Sequence, residues 1–273
     1  MSLEFKCAAG TVRSLASSGL HCVIPATLLL LGGCDQSDSN ARRNVGNLPP
    51  VHVDQTVELL LEGSNSARDT YQRTLRNCQA AGMQSRALPE VDVARVGVTR
   101  YEAWFEPTRE VIRERSWQVV NDGPAGTCLF RLEMTGLQET TTAQRYEQLD
   151  LATGERSVQP SAPDALSRVP AEREEEEASM GFEGPERKTV SGQACNEWVN
   201  RSSAFRQCVW AGGAAWGFTS GGLNDHRPRR DFIVLEQTPL SGQGYKVTTT
   251  SITVGQAFDA ALLQSPPSGD GRY

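Results

Sequence analysis

A two-residue alternation near the middle of the chain limits the fold more than any other feature of the sequence. In residues 127–135 every second side chain is apolar, and the side chains between them are mostly polar. Successive side chains of a β-strand point to opposite faces, so this segment predicts a strand with one buried and one wet face. Such strands are typical of antiparallel sheets. The apolar positions are Cys128, Phe130, Leu132 and Met134.

Other segments extend this predicted sheet. Turn residues around Gly154 predict a hairpin, and β-branched residues are dense near the carboxyl end of the chain. A short helix is predicted over residues 256–263. The predicted hairpin covers residues 145–158, and the further predicted strands are residues 100–106, 110–120, 231–236 and 245–254.

Two helices are predicted before the sheet. The first covers residues 53–61, where apolar side chains at helical spacing follow a capping residue, Asp54. The second begins at a capping-box pattern, Ser66 and Asp69, and ends before Gly82. The fold class predicted is therefore α+β, two N-terminal helices followed by a mainly antiparallel, disulfide-stapled sheet. The apolar helical faces are Val53, Val57, Leu60 and Leu61 in the first, and Ala67, Tyr71, Leu75 and Cys78 in the second.

A Pro- and Glu-rich stretch divides the predicted sheet. Residues 159–187 hold four prolines and an acidic run, too little apolar material to offset chain entropy, and we predict a disordered linker. Residues 51–158 then form the helices and the first part of the sheet. Residues 188–264, rich in Trp, Gly and Cys, form a second part or a second domain, and we favour one continuous sheet. Residues 265–273 are predicted to be a disordered tail.

The amino-terminal region carries a short apolar run that ends in a cysteine. Residues 23–31 are too few to span a bilayer, which needs about 20 residues, and they suit the apolar region of an export signal. The run is followed by Gly32, Gly33 and Cys34, with Leu31 three positions before the cysteine. This order resembles the lipobox of bacterial lipoproteins. The alternatives are an ordinary cleaved secretory signal and a buried Leu-rich strand.

The lipobox resemblance implies where the mature protein lies. Residues 1–33 would be removed as a signal peptide, and the thiol of Cys34 would carry the lipid, with palmitate among its acyl chains. Residues 34–50 would be a flexible tether, and the domain would lie on the periplasmic side of the bacterial cell envelope. In enteric bacteria an aspartate after the lipidated cysteine favours the inner membrane, so Asp35 favours the inner membrane slightly over the outer one.

The cysteine count fits an exported protein. The chain has seven cysteines. Removal of Cys7 and Cys22 with the signal, and use of Cys34 for the lipid, leaves an even set, which in an exported domain predicts disulfides. Three pairings of the remaining four are open, and we favour Cys78–Cys128 and Cys195–Cys208. The remaining cysteines are Cys78, Cys128, Cys195 and Cys208.

Candidate ligand-binding residues concentrate in residues 195–230. Aromatic rings stack on the apolar faces of sugars or peptides, and arginines bind anionic groups. The same residue types also pack over disulfides in small exported domains, and the sequence favours that packing. The candidates for ligand contact are Trp210, Trp216, His226 and Arg229.

The net charge, the motifs and the supply of metal-ligating residues exclude several classes of function. A formal net charge of −6 argues against nucleic acid as a partner. We find no phosphate-binding, dinucleotide-binding or zinc-protease motif, and so assign no catalytic residue and no cofactor. No metal site is predicted, because the region after Cys34 has only His52 and His226 and no Cys-x-x-Cys spacing.

The sequence predicts a lipid-anchored envelope protein that acts by binding or scaffolding rather than by catalysis. Its predicted partners are the membrane, through the anchor, and an envelope protein or glycan. The alternatives are a membrane-tethered envelope hydrolase and a carrier of an apolar envelope molecule.

Overall fold

Strand β1 (Val51–Leu61) lies in the middle of one large antiparallel sheet, between two strands that are far apart in the sequence. The computed structural model describes residues 48–167, 181–218 and 226–264. The remaining strands are β2 (Ser64–Asn65), β3 (Ser85–Arg86), β4 (Val98–Phe105), β5 (Arg109–Asn121), β6 (Cys128–Thr142), β7 (Arg145–Asp150), β8 (Arg156–Pro160), β9 (Phe182–Val190), β10 (Gln193–Asn200), β11 (Phe205–Trp210), β12 (Val234–Pro239) and β13 (Gly244–Val254).

The sheet consists of two meanders that share β1. Its strand order is β8-β7-β6-β5-β4-β1-β13-β12-β11-β10-β9, and every neighbouring pair on this path is antiparallel. The short β2 pairs with β1, and β3 pairs with β6 in parallel. The helices are α1 (Ser66–Ala80), the single turn α2 (Glu90–Val93), and two 3-10 helices, Ala211–Trp216 and Ala260–Leu263. Among the described residues, no helix is both long and apolar enough to cross a membrane.

The predicted α+β fold with two N-terminal helices is wrong, because the described chain is mainly β and the first predicted helix is strand β1. Buried and half-buried residues alternate along β1, with Val51, Val53, Gln55 and Val57 buried. Val53 and Val57 are four residues apart, a spacing that puts two side chains on one face of a helix and equally of a strand. Pairing with β4 and β13 on its two sides satisfies the β1 backbone and decides between the two.

The second predicted helix is present as α1, with a different cap. Asn65, not Ser66, caps it, and its side-chain Oδ1 accepts a hydrogen bond from the Arg68 backbone N–H at 3.0 Å. Ser64, outside the helix, donates to the Asp69 carboxylate. Gly82 follows the last turn with φ +67°, as the sequence predicts for the residue that ends this helix.

The predicted linker, residues 159–187, is wrong at both ends. Strand β8 extends to Pro160, and strand β9 begins at Phe182. Pairing with β10 supplies the backbone hydrogen bonds of β9 and needs little apolar burial, so an exposed, charged edge strand forms there. Residues 168–180, which include the acidic run, lie outside the described residues.

Both favoured disulfide pairings are confirmed. Cys78–Cys128 joins α1 to β6 across 50 residues, with Cα atoms 6.3 Å apart. Cys195–Cys208 joins the neighbouring strands β10 and β11, with Cα atoms 5.5 Å apart. Both bridges are buried, so each anchors a separate part of the core.

Two covering elements lie on one face of β5. At one end Val119 packs in the cluster that contains Tyr71 and Phe130, beneath α1. At the other end Val111 packs against Leu263 of the last 3-10 helix. Val111 and Val119 are eight residues apart, and side chains an even number of residues apart share a strand face.

A buried arginine holds the C-terminal segment on this face. The Arg113 guanidinium donates to the carbonyl oxygens of Leu262 at 2.8 Å and Gln264 at 3.1 Å. It also lies 5.0 Å from the centroid of the Trp104 ring. The end of the described chain is therefore fixed by polar contacts as well as by Leu263.

Candidate functional site

A groove opens between helix α1 and strands β5 and β6. Its volume is about 690 Å³, within the range of small-molecule sites. Most of the side chains that line it are apolar, aromatic or threonine, and none is charged. The principal lining residues are Ala67, Thr70, Tyr71, Thr74, Trp117 and Phe130.

Helix α1 forms one wall with a single face. Ala67, Thr70, Tyr71 and Thr74 follow the i, i+3, i+4, i+7 pattern that places side chains on one side of a helix. The hydroxyls of the two threonines donate to helix carbonyls, Thr70 to Ser66 and Thr74 to Thr70, each at 2.8 Å. Because the hydroxyl protons are used within the helix, these threonines contribute mainly methyl groups to the groove.

Strands β5 and β6 form the opposite wall. Trp117 and Val119 lie on the same face of β5, and Val119 pairs across the ladder with Leu132. Phe130 of β6 meets the Tyr71 ring edge to face, with centroids 5.4 Å apart. This aromatic contact joins the two walls at the base of the groove, where both rings are buried.

Other polar groups at the groove also have partners within the protein. The Tyr71 hydroxyl accepts a hydrogen bond from the Leu88 backbone N–H at 2.8 Å. The side chain of Asn121 donates to the carbonyl of Thr127 and accepts from the N–H groups of Gly123 and Leu129. A ligand in the groove would thus meet mainly apolar surface.

Gly97 sets how closely α1 approaches the sheet. Its φ of +68° and its tight surroundings both favour glycine, since a Cβ there would lie 2.6 Å from the Cβ of Ala67. The Asn65 amide donates to the Gly97 carbonyl at 3.3 Å, and the same side chain caps α1. The start of α1 and one side of the groove are therefore fixed together.

The structure places the predicted tryptophans inside the protein rather than in this groove. Trp210 is 1% exposed, and its ring centroid lies 6.0 Å from that of Trp216 and 5.3 Å from that of Phe218. The Trp210 indole N–H donates to the Gln193 side chain at 3.3 Å. Both tryptophans pack with the Cys195–Cys208 cluster, so Trp210 acts as a core residue.

His226 and Arg229 lie elsewhere in the second half of the chain. The His226 ring is 4.3 Å from the ring of Tyr245, centroid to centroid. Arg229 pairs with Asp231 at 3.2 Å and lies 5.8 Å from the Phe232 ring. No contact described in the structure joins either residue to Trp210.

A half-buried histidine lies beside the C-terminal segment. The His52 ring stacks on Trp104 with centroids 5.0 Å apart and meets Phe258 edge to face. Burial lowers the pKa of His52, and the negative charges of Asp54 and Glu102 only partly oppose that effect. The neutral imidazole is therefore favoured in the folded protein.

In the described ranges, no three His, Cys, Asp or Glu side chains are grouped to hold a metal ion. The predicted signal peptide, the lipid-bearing Cys34 and most of the tether lie outside the described residues.

The chain matches no family model and no curated protein. One solved structure that aligns with it is entitled "Structure of PNGF-II in C2 space group", with 8% sequence identity and a TM-score of 0.32. The alignment covers 81% of this chain and 30% of that one, so the chain spans less than a third of that protein's length. A similarity of this size does not define a shared fold.

The groove is the feature that sequence analysis missed. The predicted inward face of the second helix includes Ala67 and Tyr71, which do line it, but the opposite wall depends on how β5 pairs with β6. Trp117, a large aromatic residue among charged residues of a predicted strand, is a local sequence signal that could have indicated a binding surface.

Proposed function

We propose that this chain is a lipid-anchored protein of the bacterial cell envelope that binds a molecule with an apolar body in the groove between α1 and β5. The observation that carries the proposal is the uncharged, largely apolar lining of a groove of about 690 Å³. Sites of this size and lining are typical of small-molecule binding. Binding therefore has better support than scaffolding, and a carrier of an apolar envelope molecule would use the same groove.

The envelope location has separate support. Leu31, Gly32, Gly33 and Cys34 stand in lipobox order, and both disulfides suit an oxidising compartment. Two acyl chains give stable anchoring where one is marginal. The domain would then act close to a membrane, where apolar molecules are concentrated.

The binding proposal can be tested with Nile red, an uncharged dye whose fluorescence rises in apolar surroundings. We expect saturable binding to the wild type, and we expect Thr70→Phe to weaken it at least about tenfold by filling the groove. Gln72→Phe adds the same ring to an exposed α1 position outside the groove and should leave binding unchanged. Absence of saturable binding, or equal loss in both variants, would overturn the proposal.

The anchor has its own test. Radiolabelled palmitate should enter the wild type in bacterial cells, and the labelled protein should sediment with membranes. Cys34→Ala should incorporate none and should be released from membranes. Equal labelling of the two proteins would remove the lipid anchor from the proposal and leave groove binding unaffected.

A further inference from the structure

We infer that the groove takes the acyl chain of a single-chain anionic amphiphile, with the acidic headgroup at the mouth beside Arg73 and Arg95. This inference rests on the proposed binding function and specifies its ligand. It depends on three features: a lining without charge, an arginine in contact with a lining residue of each wall, and an ion-pairing difference between those arginines.

The lining determines the chemistry of the buried part of the ligand. A charged group buried without a partner is strongly unfavourable, and no lining residue carries a charge that could compensate one. The hydroxyls of Thr70, Tyr71 and Thr74 already bond within the protein. The buried part of the ligand is therefore uncharged and makes few hydrogen bonds, as an alkyl chain does.

Arg73 supplies a positive charge on the helix side of the mouth. Its guanidinium donates to the Thr70 hydroxyl oxygen at 3.3 Å, and the side chain is exposed. Within the described part of the chain, Arg73 makes no ion pair. The nearest acidic residue one helical turn before it, Asp69, accepts a hydrogen bond from Ser64 instead. Arg73 can thus meet an anionic headgroup without first losing a carboxylate partner.

Arg95 supplies a second positive charge, beside Trp117 of the β5 wall. Its guanidinium carbon lies 5.8 Å from the centroid of the Trp117 ring, and Trp117 lines the groove. Arg95 pairs with Asp92 at 3.7 Å, and both side chains are partly exposed. Its charge is therefore partly compensated, and Arg73 is expected to contribute more to headgroup selectivity.

The inference predicts that the affinity for the amphiphile depends separately on the length of its alkyl chain and on the charge of its headgroup. Affinity should rise with chain length, by up to about fourfold for each methylene buried. Affinity should also favour the acid over its methyl ester, by about two- to fivefold, since the contact between the headgroup and an exposed arginine is weak. Only the second preference should fade with added salt.

The test measures displacement of Nile red by decanoate, dodecanoate and methyl dodecanoate, all kept below micelle-forming concentrations. The wild type should bind dodecanoate more tightly than decanoate and more tightly than the ester. Arg73→Gln should remove most of the preference for the acid and leave the ester unchanged. Arg76→Gln removes an equal charge from an exposed α1 position outside the groove and should behave as the wild type.

The outcomes separate this inference from the proposed function. If Nile red itself does not bind, the proposed function fails. If Nile red binds and none of the three compounds displaces it, the acyl-chain ligand is wrong and groove binding stands. If acid and ester displace it equally, or if the two arginine variants lose affinity equally, the anionic headgroup is wrong.

Discussion

Gly97 and Ala67 approach so closely that a methyl group on Gly97 would lie 2.6 Å from the Cβ of Ala67. This contact sets the distance between the first turn of α1 and the sheet at one side of the groove. The backbone of Gly97 lies directly against the methyl group of Ala67, and no room remains between them for a side chain on Gly97 or for a larger one at position 67. Both residues line the groove, and we therefore expect this contact to limit the width of the groove on that side.

Gly97→Ala is therefore expected to destabilise the domain by about 2–4 kcal/mol, from left-handed backbone strain together with overpacking. Gly82→Ala is the matched control, because Gly82 has nearly the same φ, +67°, and nothing within 4 Å of the added Cβ. It should cost only the strain, about 1–2 kcal/mol. Urea unfolding measures both, and equal losses would show that the Ala67 contact does not matter.

The two disulfides should differ in their effect on binding. In the chain-entropy model, loss of Cys78–Cys128, which spans 50 residues, costs about 4 kcal/mol, and loss of Cys195–Cys208, which spans 13, costs about 3 kcal/mol. Replacing Cys78 and Cys128 by alanine should also weaken Nile red binding, since α1 is one wall of the groove.

Replacing Cys195 and Cys208 by alanine is the control for that experiment. It should lower the urea midpoint and leave the Nile red affinity of the remaining folded protein unchanged. A loss of affinity of the same size in both double variants would mean that the bridge on α1 has no special role in shaping the groove.

Arg113→Leu should release the C-terminal segment. The change removes the donor to the part-buried carbonyls of Leu262 and Gln264 and to the buried side chain of Gln138. We expect a loss of about 1–3 kcal/mol because these acceptors are left without their partner. Hydrogen exchange should accelerate in residues 258–264 before the rest of the domain. Arg131→Leu, which breaks only exposed ion pairs, should cost less than about 1 kcal/mol. Unchanged protection of residues 258–264 would contradict the prediction.

The pH dependence of stability should contain a contribution from His52. Its pKa is lowered by burial in the folded protein, so the unfolded chain binds a proton more readily. The contribution is fully present above the unfolded pKa of about 6.5. It is lost as the pH falls below that value toward the folded pKa, with a slope of at most about 1.4 kcal/mol per pH unit.

Urea unfolding between pH 7.5 and pH 5 tests the assignment to His52. His52→Gln should remove part of the loss of stability on acidification, and the difference between the two curves should lie below pH 6.5. If the variant loses stability over this range as steeply as the wild type, burial of His52 does not produce the effect.

Local sequence patterns predict the structure well where the spacing of the apolar side chains fits a helix or a strand but not both. Alternation from Cys128 to Met134 predicts β6, and apolar spacing from Ala67 to Cys78 predicts α1. The prediction fails where the apolar spacing fits both a helix and a strand, as it does at Val53 and Val57. There only pairing with strands far away in sequence decides between the two. For the same reason Phe182 begins a strand that composition alone does not predict.

The groove shows the same limit more clearly. Its helical wall follows from local spacing, and its other wall follows from the long pairing of β5 with β6 and from the closeness of Gly97 to Ala67. Neither the strand pairing nor the Gly97–Ala67 contact can be predicted from a short segment of the sequence. The tryptophans that composition singled out, Trp210 and Trp216, pack with the Cys195–Cys208 disulfide in a core cluster to which strands of both meanders contribute.

The position of β1 has a consequence for biogenesis. Val57 pairs with Thr99 on one side and with Val247 on the other, so the second partner is synthesised far later than the first. In a chain that enters the envelope amino terminus first, the edge of β1 that pairs with β13 would lack its partner strand until nearly the whole chain had crossed the membrane. We expect such a nascent chain to require shielding during translocation, and a version cut short before β13 to aggregate instead of accumulating as a half-sheet.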